Sequence, residues 1–153
     1  MTNWIHITES DLRTYLNASQ IETLLTRPNR EGASDPLAPI LEQTVSRIRA
    51  DIRSRETNVL SEDESAIPPE LKRTACLLAI ADLPGKIRGF ALTEAQEDAT
   101  DEAEDVLDRI RDGDLPVRVP ADPQPTPEVR TEFGLEVARK RSVRLSGDQL
   151  NGL

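Results

Sequence analysis

The sequence predicts an all-α protein: a small bundle of four to five helices around a central buried helix, followed by an extended Pro-rich C-terminal arm. Three observations carry this. Leu37, Leu41, Val45, Ile48 and Ile52 recur every three or four positions, the period of one helix face. The run Ala75–Ala81, ACLLAIA, has no polar residue and follows two prolines, so it reads as a helix apolar, and therefore buried, on every side. Residues 115–127, LPVRVPADPQPTP, hold five of the eleven prolines, which opposes helix and favours an extended run. These features divide the chain into a helical domain over 1–114, a Pro-rich linker over 115–127 and a C-terminal arm over 128–153.

The first helix begins after Thr8, with Asp11 three residues on in a capping-box pattern. Ile7, Leu12, Tyr15 and Leu16 form its apolar side. Asn17 or Ser19 then caps a second short helix carrying Ile21, Leu24 and Leu25. Residues 26–36, TRPNREGASDP, are dense in turn formers and read as an exposed loop. The striped third helix follows, with Pro36 or Pro39 near its start, where a missing N–H does least harm. On its outer, surface-facing side Arg47–Asp51 and Asp51–Arg55 fall at i,i+4, each pair contributing roughly 0.2–0.5 kcal/mol.

Pro68 and Pro69 fix the entry of the central helix, which runs from about Pro69 to Leu83 and ends at Pro84 and Gly85. Glu70 lies in its first turn, favourable against the helix dipole, and Leu71, Ala75, Leu78 and Ile80 belong to its core. Thr93 and Gln96 form a second capping box ahead of a long acidic helix. Between Glu94 and Asp114 ten acids face two bases, and Ala95, Ala99, Ala103, Val106, Leu107 and Ile110 supply its apolar contacts. Gly113 is its natural C-cap.

Composition bounds the function. Hydrophobic residues are 37% and aromatic residues 3%, so the core is built from small aliphatic side chains and is thin for the length. Such a domain gains from assembly with copies of itself or with other proteins. The net charge of −9 opposes a general nucleic-acid binder, which needs a positive face. No apolar run approaches the roughly 20 residues of a membrane span, and MTNWIHITES lacks the basic and apolar regions of a signal peptide. A single cysteine allows no intramolecular disulfide, in keeping with a reducing compartment. The expectation is a soluble, cytosolic protein.

Candidate chemistry is sparse. Cys76 lies in the buried helix with nothing beside it in sequence to activate it, so it reads as core filling. His6, the only histidine, reads as a packing or surface residue. Glu94, Glu97, Asp98, Asp101, Glu102, Asp105 and Asp108 cover one broad helix face without a calcium-loop pattern, a solvated or channel-facing surface rather than a metal site. There is no phosphate-cradling glycine loop and no G-x-S-x-G. No catalytic, metal or cofactor-binding residue is assigned, and the reading is of a protein that is not an enzyme. The arm carries Phe133 and a basic cluster at Arg139, Lys140, Arg141 and Arg144, followed by Leu145. Such an arm can dock on an acidic partner. Alternatively, it acts on DNA as a binding or packaging accessory.

The order of the pieces resembles the Mu-like phage head–tail connector family, the head-completion adaptors of tailed phages. The residues that carry the resemblance are ITESDLRTYL near the N-terminus, the proline-led IPPELKRTACLLAIADL, the helix end VLDRIRDGDLPV and the closing phrase VRLSGDQLNGL. The resemblance implies a homo-oligomeric, dodecameric ring under the portal vertex, extending the DNA channel and offering a platform to the next neck or tail-completion protein. It implies the portal and that neck protein as partners, DNA passing without specific binding, no membrane and no cofactor. The implied location is the virion neck, with the host cytoplasm during assembly.

Overall fold

The computed structural model describes residues 2–125. Five helices appear in order: α1 (Glu9–Arg13), α2 (Ala18–Leu25), α3 (Leu37–Arg53), α4 (Lys72–Asp82) and α5 (Glu94–Asp112). Single 3-10 turns at Pro69–Leu71 and Leu83–Gly85 lead into and out of α4, so the proline-led helix has tightened ends rather than one α-helical span. The all-α class is what the periodicity requires. Among the described residues the only ladder pairings are isolated bridges.

α4 occupies the centre. All seven residues from Thr74 to Ile80 are buried, because α5, α3 and α1 each cover part of it. Leu71, Ala75, Leu78 and Ile80 lie inside as their pattern predicts. Burying a Leu or Ile side chain contributes roughly 1.5–3 kcal/mol, so this one helix organises the core. α3 contacts both α4 and α5 and is not simply surface-facing. Its buried stripe is Leu37, Ile40, Thr44, Val45, Ile48, Arg49 and Ile52, with Leu41 at the edge.

Helix ends follow the capping chemistry. Thr8 N–H donates to Asp11 Oδ2 at 2.9 Å. Asn17, not Ser19, caps α2, accepting from Gln20 N–H at 2.9 Å. Thr93 Oγ1 accepts from Gln96 N–H at 3.2 Å. α5 ends where Gly113 takes a φ of 86°, a conformation costly for any side chain. Asp114 N–H returns to the Arg109 carbonyl at 2.9 Å and Gly113 N–H to Ile110 at 3.2 Å, the Schellman pattern.

The proline-rich run past α5 is extended and non-helical, and up to residue 125 it is strapped to the helical body. Thr2 pairs in parallel with Pro120, and Ser61 pairs antiparallel with Pro123. Thr2 N–H donates to Val119 O at 3.1 Å, Ala121 N–H to Thr2 O at 3.0 Å and Gln124 N–H to Leu60 O at 2.8 Å. Pro120 is fully buried. Prolines fit here because an edge strap needs few of its own N–H groups.

Three sequence expectations are corrected, by a buried arginine, by long-range pairing and by an exposed helix start. The loop over residues 26–36 is not wholly exposed: the Arg27 side chain is 2% exposed and grips Asp35 through Nε and Glu9 through Nη1, both at 2.8 Å. A loop rich in turn formers can still bury one cation when two carboxylates and a carbonyl satisfy it. The charges of α3, and of Arg55 just past its end, also pair differently. Arg47 meets Glu104 of α5, Asp51 lies 3.7 Å from Arg111, and Arg55 donates to the Asp112 carbonyl at 3.1 Å. The neighbouring helix offers better-placed partners than the next turn of α3. Ala95, predicted as an apolar contact, is exposed on the outward side of the first turn of α5.

Candidate functional site

The outward side of α5 is the most distinctive surface. Its capping box fixes the start, and Ala103, Leu107 and Ile110 turn one face inward against α4 and α3. The period of the helix then forces Glu94, Glu97, Asp98, Asp101, Glu102, Asp105 and Asp108 outward, and all seven are exposed. Glu102 lies 3.8 Å from Arg73, and Asp108 pairs with Arg111 on its own helix. Among the described residues Glu94, Glu97, Asp98, Asp101 and Asp105 take no basic partner. Carboxylates one turn apart, such as Glu97 with Asp101 and Asp101 with Asp105, repel each other. Water and counterions are their natural company.

The described body is more acidic than the chain as a whole. Residues 126–153 hold five bases and four acids, so residues 1–125 carry the full −9 and one further negative charge. The arm residues Phe133, Arg139, Lys140, Arg141, Arg144 and Leu145 lie outside the described residues. The proposed arm over 128–153 therefore has no structural account.

A second feature adjoins the acidic face. Where α5 reaches Val106, the helix borders an apolar cleft of about 310 Å³, walled by the entry of α4 and by residues 115–117. Leu71, Val106, Ile110, Leu115 and Val117 supply the apolar lining, with Arg73, Arg109 and Glu70 as its charged members. Sequence reasoning missed this cleft because three distant segments build it. Its one local signal is the triplet LPV directly after the Gly113 cap, where apolar residues commonly fold back on the helix end.

Other candidate groups are occupied structurally. Cys76 is fully buried, and burial pushes its thiol up to about 11, far from a reactive thiolate. His6 Nε2 lies 2.6 Å from Asp63 at the surface. The Asp63 carboxyl is held down to about 2, first by the Ser65 hydroxyl and N–H and then by His6. Among the described residues no three His, Cys, Asp or Glu side chains converge on a point that could hold a metal ion. No helix there is long and apolar enough to cross a membrane.

The largest omission in the sequence reading is Arg49. It is buried beneath Trp4, its guanidinium 5.7 Å from the ring centroid, and it donates to the carbonyls of Ser61, Asp63 and Ala66 at 2.8–2.9 Å. Among the described residues no carboxylate is bonded to it, and desolvation lowers its pKa from the usual value. Its role is to hold the 61–66 loop against α3. The signal was present in the sequence, since Arg49 falls in phase with Val45 and Ile52.

Compared with protein-family models, curated proteins and solved structures, the chain matches none.

Proposed function

We propose that this chain is a structural head–tail connector of a tailed phage, an adaptor that assembles with its copies into a ring beneath the portal. The ring extends the DNA channel and gives the next neck or tail-completion protein a platform. The observation that carries this reading is the exposed carboxylate face of α5. Duplex DNA carries one negative charge per ~1.7 Å of axis. A channel wall of unpaired carboxylates repels it along its whole length, so DNA slides past without specific binding.

Two further points support the reading. The motifs that resemble the connector family, the proline-led segment and the helix end closing on Gly113, coincide with the buried α4 and the cap of α5. A core of small aliphatic residues also gains buried area when copies pack side by side. The arm, with Phe133, Arg139, Lys140, Arg141, Arg144 and Leu145, is then the element that reaches the portal or an adjacent subunit. No catalytic step and no cofactor enter. The protein works in the virion neck, after assembly in the host cytoplasm.

Electron microscopy of the neck of the virion that carries this chain tests the proposal. A closed ring of the chain directly below the portal is the expected result, and a neck lacking it overturns the reading. Salt-dependent binding of the purified protein to duplex DNA near physiological ionic strength, lost when Arg139, Lys140, Arg141 and Arg144 become Ala, would instead favour a DNA-packaging accessory.

A further inference from the structure

The strap over residues 118–124 is gripped from both sides. Thr2 pairs with it in parallel at Pro120, and Ser61 pairs antiparallel at Pro123. Trp4 Nε1 donates to the Arg118 carbonyl at 3.3 Å, and Ser61 Oγ to Asp122 Oδ2 at 2.6 Å. Pro120 is its one buried residue. These contacts all go to the N-terminal segment and the 60–62 loop, and none goes to α5, the helix it follows. The stretch that delivers it is loosely held. Leu115 N–H closes the helix end on the Arg109 carbonyl at 3.1 Å. From there to Ala121 the chain donates no backbone hydrogen bond among the described residues, and Pro116 and Pro120 have no N–H to donate. Val119, in this stretch, is the one large hydrophobic side chain left exposed among the described residues.

We propose that this strap exchanges between copies: residues 118–124 of one chain seat between Thr2 and Leu60–Glu62 of a second. The slot is complementary to the chain's own strap, and a second copy brings the identical sequence. Exchange therefore remakes every bond that it breaks, and its cost is confined to the connection over residues 114–117. Swinging the strap out from Pro116 breaks no backbone bond of α5, so the helical body stays closed while the strap moves. In the exchanged state the connection bridges two bodies, and Val119 lies at that junction instead of in water.

Concentration decides between the two states. A short tether holds the strap over its own slot at an effective concentration on the order of millimolar, so dilute chains are closed. Copies packed side by side reach comparable local concentrations, and covering Val119 then tips the balance toward exchange. Charge does not stand in the way. Arg118 and Asp122 are the only charged residues of the strap and cancel, so it crosses between two acidic bodies without adding to their repulsion. Such exchange would join copies whatever they assemble for, and it stands apart from the connector reading.

Disulfide trapping in the full-length chain supplies the test. Ser61 and Pro123 form a non-hydrogen-bonded antiparallel pair, flanked by the Glu62–Asp122 and Gln124–Leu60 bonds. Such a pair has Cα atoms roughly 4.5 Å apart, within disulfide reach. In a Cys76→Ala background, Ser61→Cys is placed in one chain and Pro123→Cys in another. The two are mixed at about 1 mM, comparable with the strap's own effective concentration, and oxidised. The expected result is a mixed disulfide whose yield falls about tenfold on tenfold dilution. A chain carrying both changes should close internally at every concentration, and failure of that closure would overturn the slot itself. Internal closure with no mixed disulfide would overturn the exchange. So would an equal mixed yield when Arg118→Cys, five positions along the strap, replaces Pro123→Cys. Val119→Asp should cut the mixed yield about tenfold and leave internal closure unchanged. An unchanged mixed yield would overturn the junction assigned to Val119.

Discussion

Gln20 and Gln96 bond to each other through both ends of their amides, Gln20 Nε2 to Gln96 Oε1 at 2.7 Å and Gln96 Nε2 to Gln20 Oε1 at 2.8 Å. Each is also the third residue of a capping box, so the start of α2 and the start of α5 are fastened cap to cap. The remaining amide protons go to the Ala91 and Tyr15 carbonyls. Gln20→Ala should therefore cost about 2 kcal/mol, because it orphans partners on both helices. Urea unfolding of the two single variants and the double variant measures it. The double variant should lose less than the sum of the singles, as expected for one shared interaction.

The Arg49 guanidinium bonds three loop carbonyls, and lysine cannot reproduce that fan of donors. Arg49→Lys is expected to destabilise by about 2 kcal/mol and Arg49→Ala by about 3 kcal/mol. Trp4, the only tryptophan, reports the change directly. Its fluorescence should shift to the red in the folded variants as the 61–66 loop loosens and water reaches the ring.

Acid should weaken the fold through the Arg27 cluster. Hydrogen bonds from Arg27 are the main cause that holds Asp35 below its ordinary pKa. At Glu9 burial pushes upward, but the Arg27 hydrogen bond and the charges of Arg27, Arg30 and Arg13 more than offset it. A carboxylate lowered in the folded state contributes stability that is fully present above its unfolded value, near about 4. That contribution is lost as pH falls through the folded value. Stability should hold from neutral pH down to about 5 and then decline. Arg27→Gln should cost about 3 kcal/mol at neutral pH and make the acid decline shallower, measured by urea midpoints across the range.

Cys76 and Leu78 sit two residues apart in the same buried run and should respond very differently. Cys76→Ala removes one small buried group, at a cost of about 1 kcal/mol. The wild-type thiol should resist alkylation at pH 8 until the chain unfolds, since burial keeps it protonated. Leu78→Asp places an unpaired carboxylate in the core and should abolish folding by circular dichroism. A well-folded Cys76→Ala protein that had lost its function would make the helix more than a scaffold.

Gly113→Ala tests the end of α5. The backbone there has a φ of 86°, and a Cβ would come within 2.5 Å of the Arg55 guanidinium carbon. The flexible arginine can move, but it then leaves the Asp112 carbonyl. A loss of about 1 kcal/mol follows from the backbone alone. Combining it with Arg55→Ala should relieve the collision but not the backbone cost, which thermal unfolding of the pair separates.

What was legible in the sequence was local. The capping boxes at Thr8 and Thr93, the stripe of α3, the Gly113 stop and the burial of Ala75–Ile80, with Ala81 beside it only half-buried, all follow from patterns confined to a few turns. What was hidden depends on partners far along the chain. Arg27 is buried because Glu9, eighteen positions earlier, reaches it. Arg47 finds Glu104 across fifty-seven positions, where spacing alone suggested Asp51. The strap at 119–124 and the cleft beside Val106 have the same origin: prolines and isolated apolar residues announce an extended path but not the surface it follows. Of the candidate site, the exposed carboxylates of α5 were readable from helical period, and their apolar neighbour was not.

The strap has a mechanical consequence. A pull on the chain beyond residue 125 does not act first on the end of α5. It meets the Gln124–Leu60 and Glu62–Asp122 backbone bonds, then the Thr2 bridges on either side of Pro120. Load is thereby passed to the 60–62 loop and the N-terminal segment before any helix is strained, as a cable anchored short of its terminal protects the connection. Tension on the arm would peel a few exchangeable hydrogen bonds and leave the packing around α4 undisturbed.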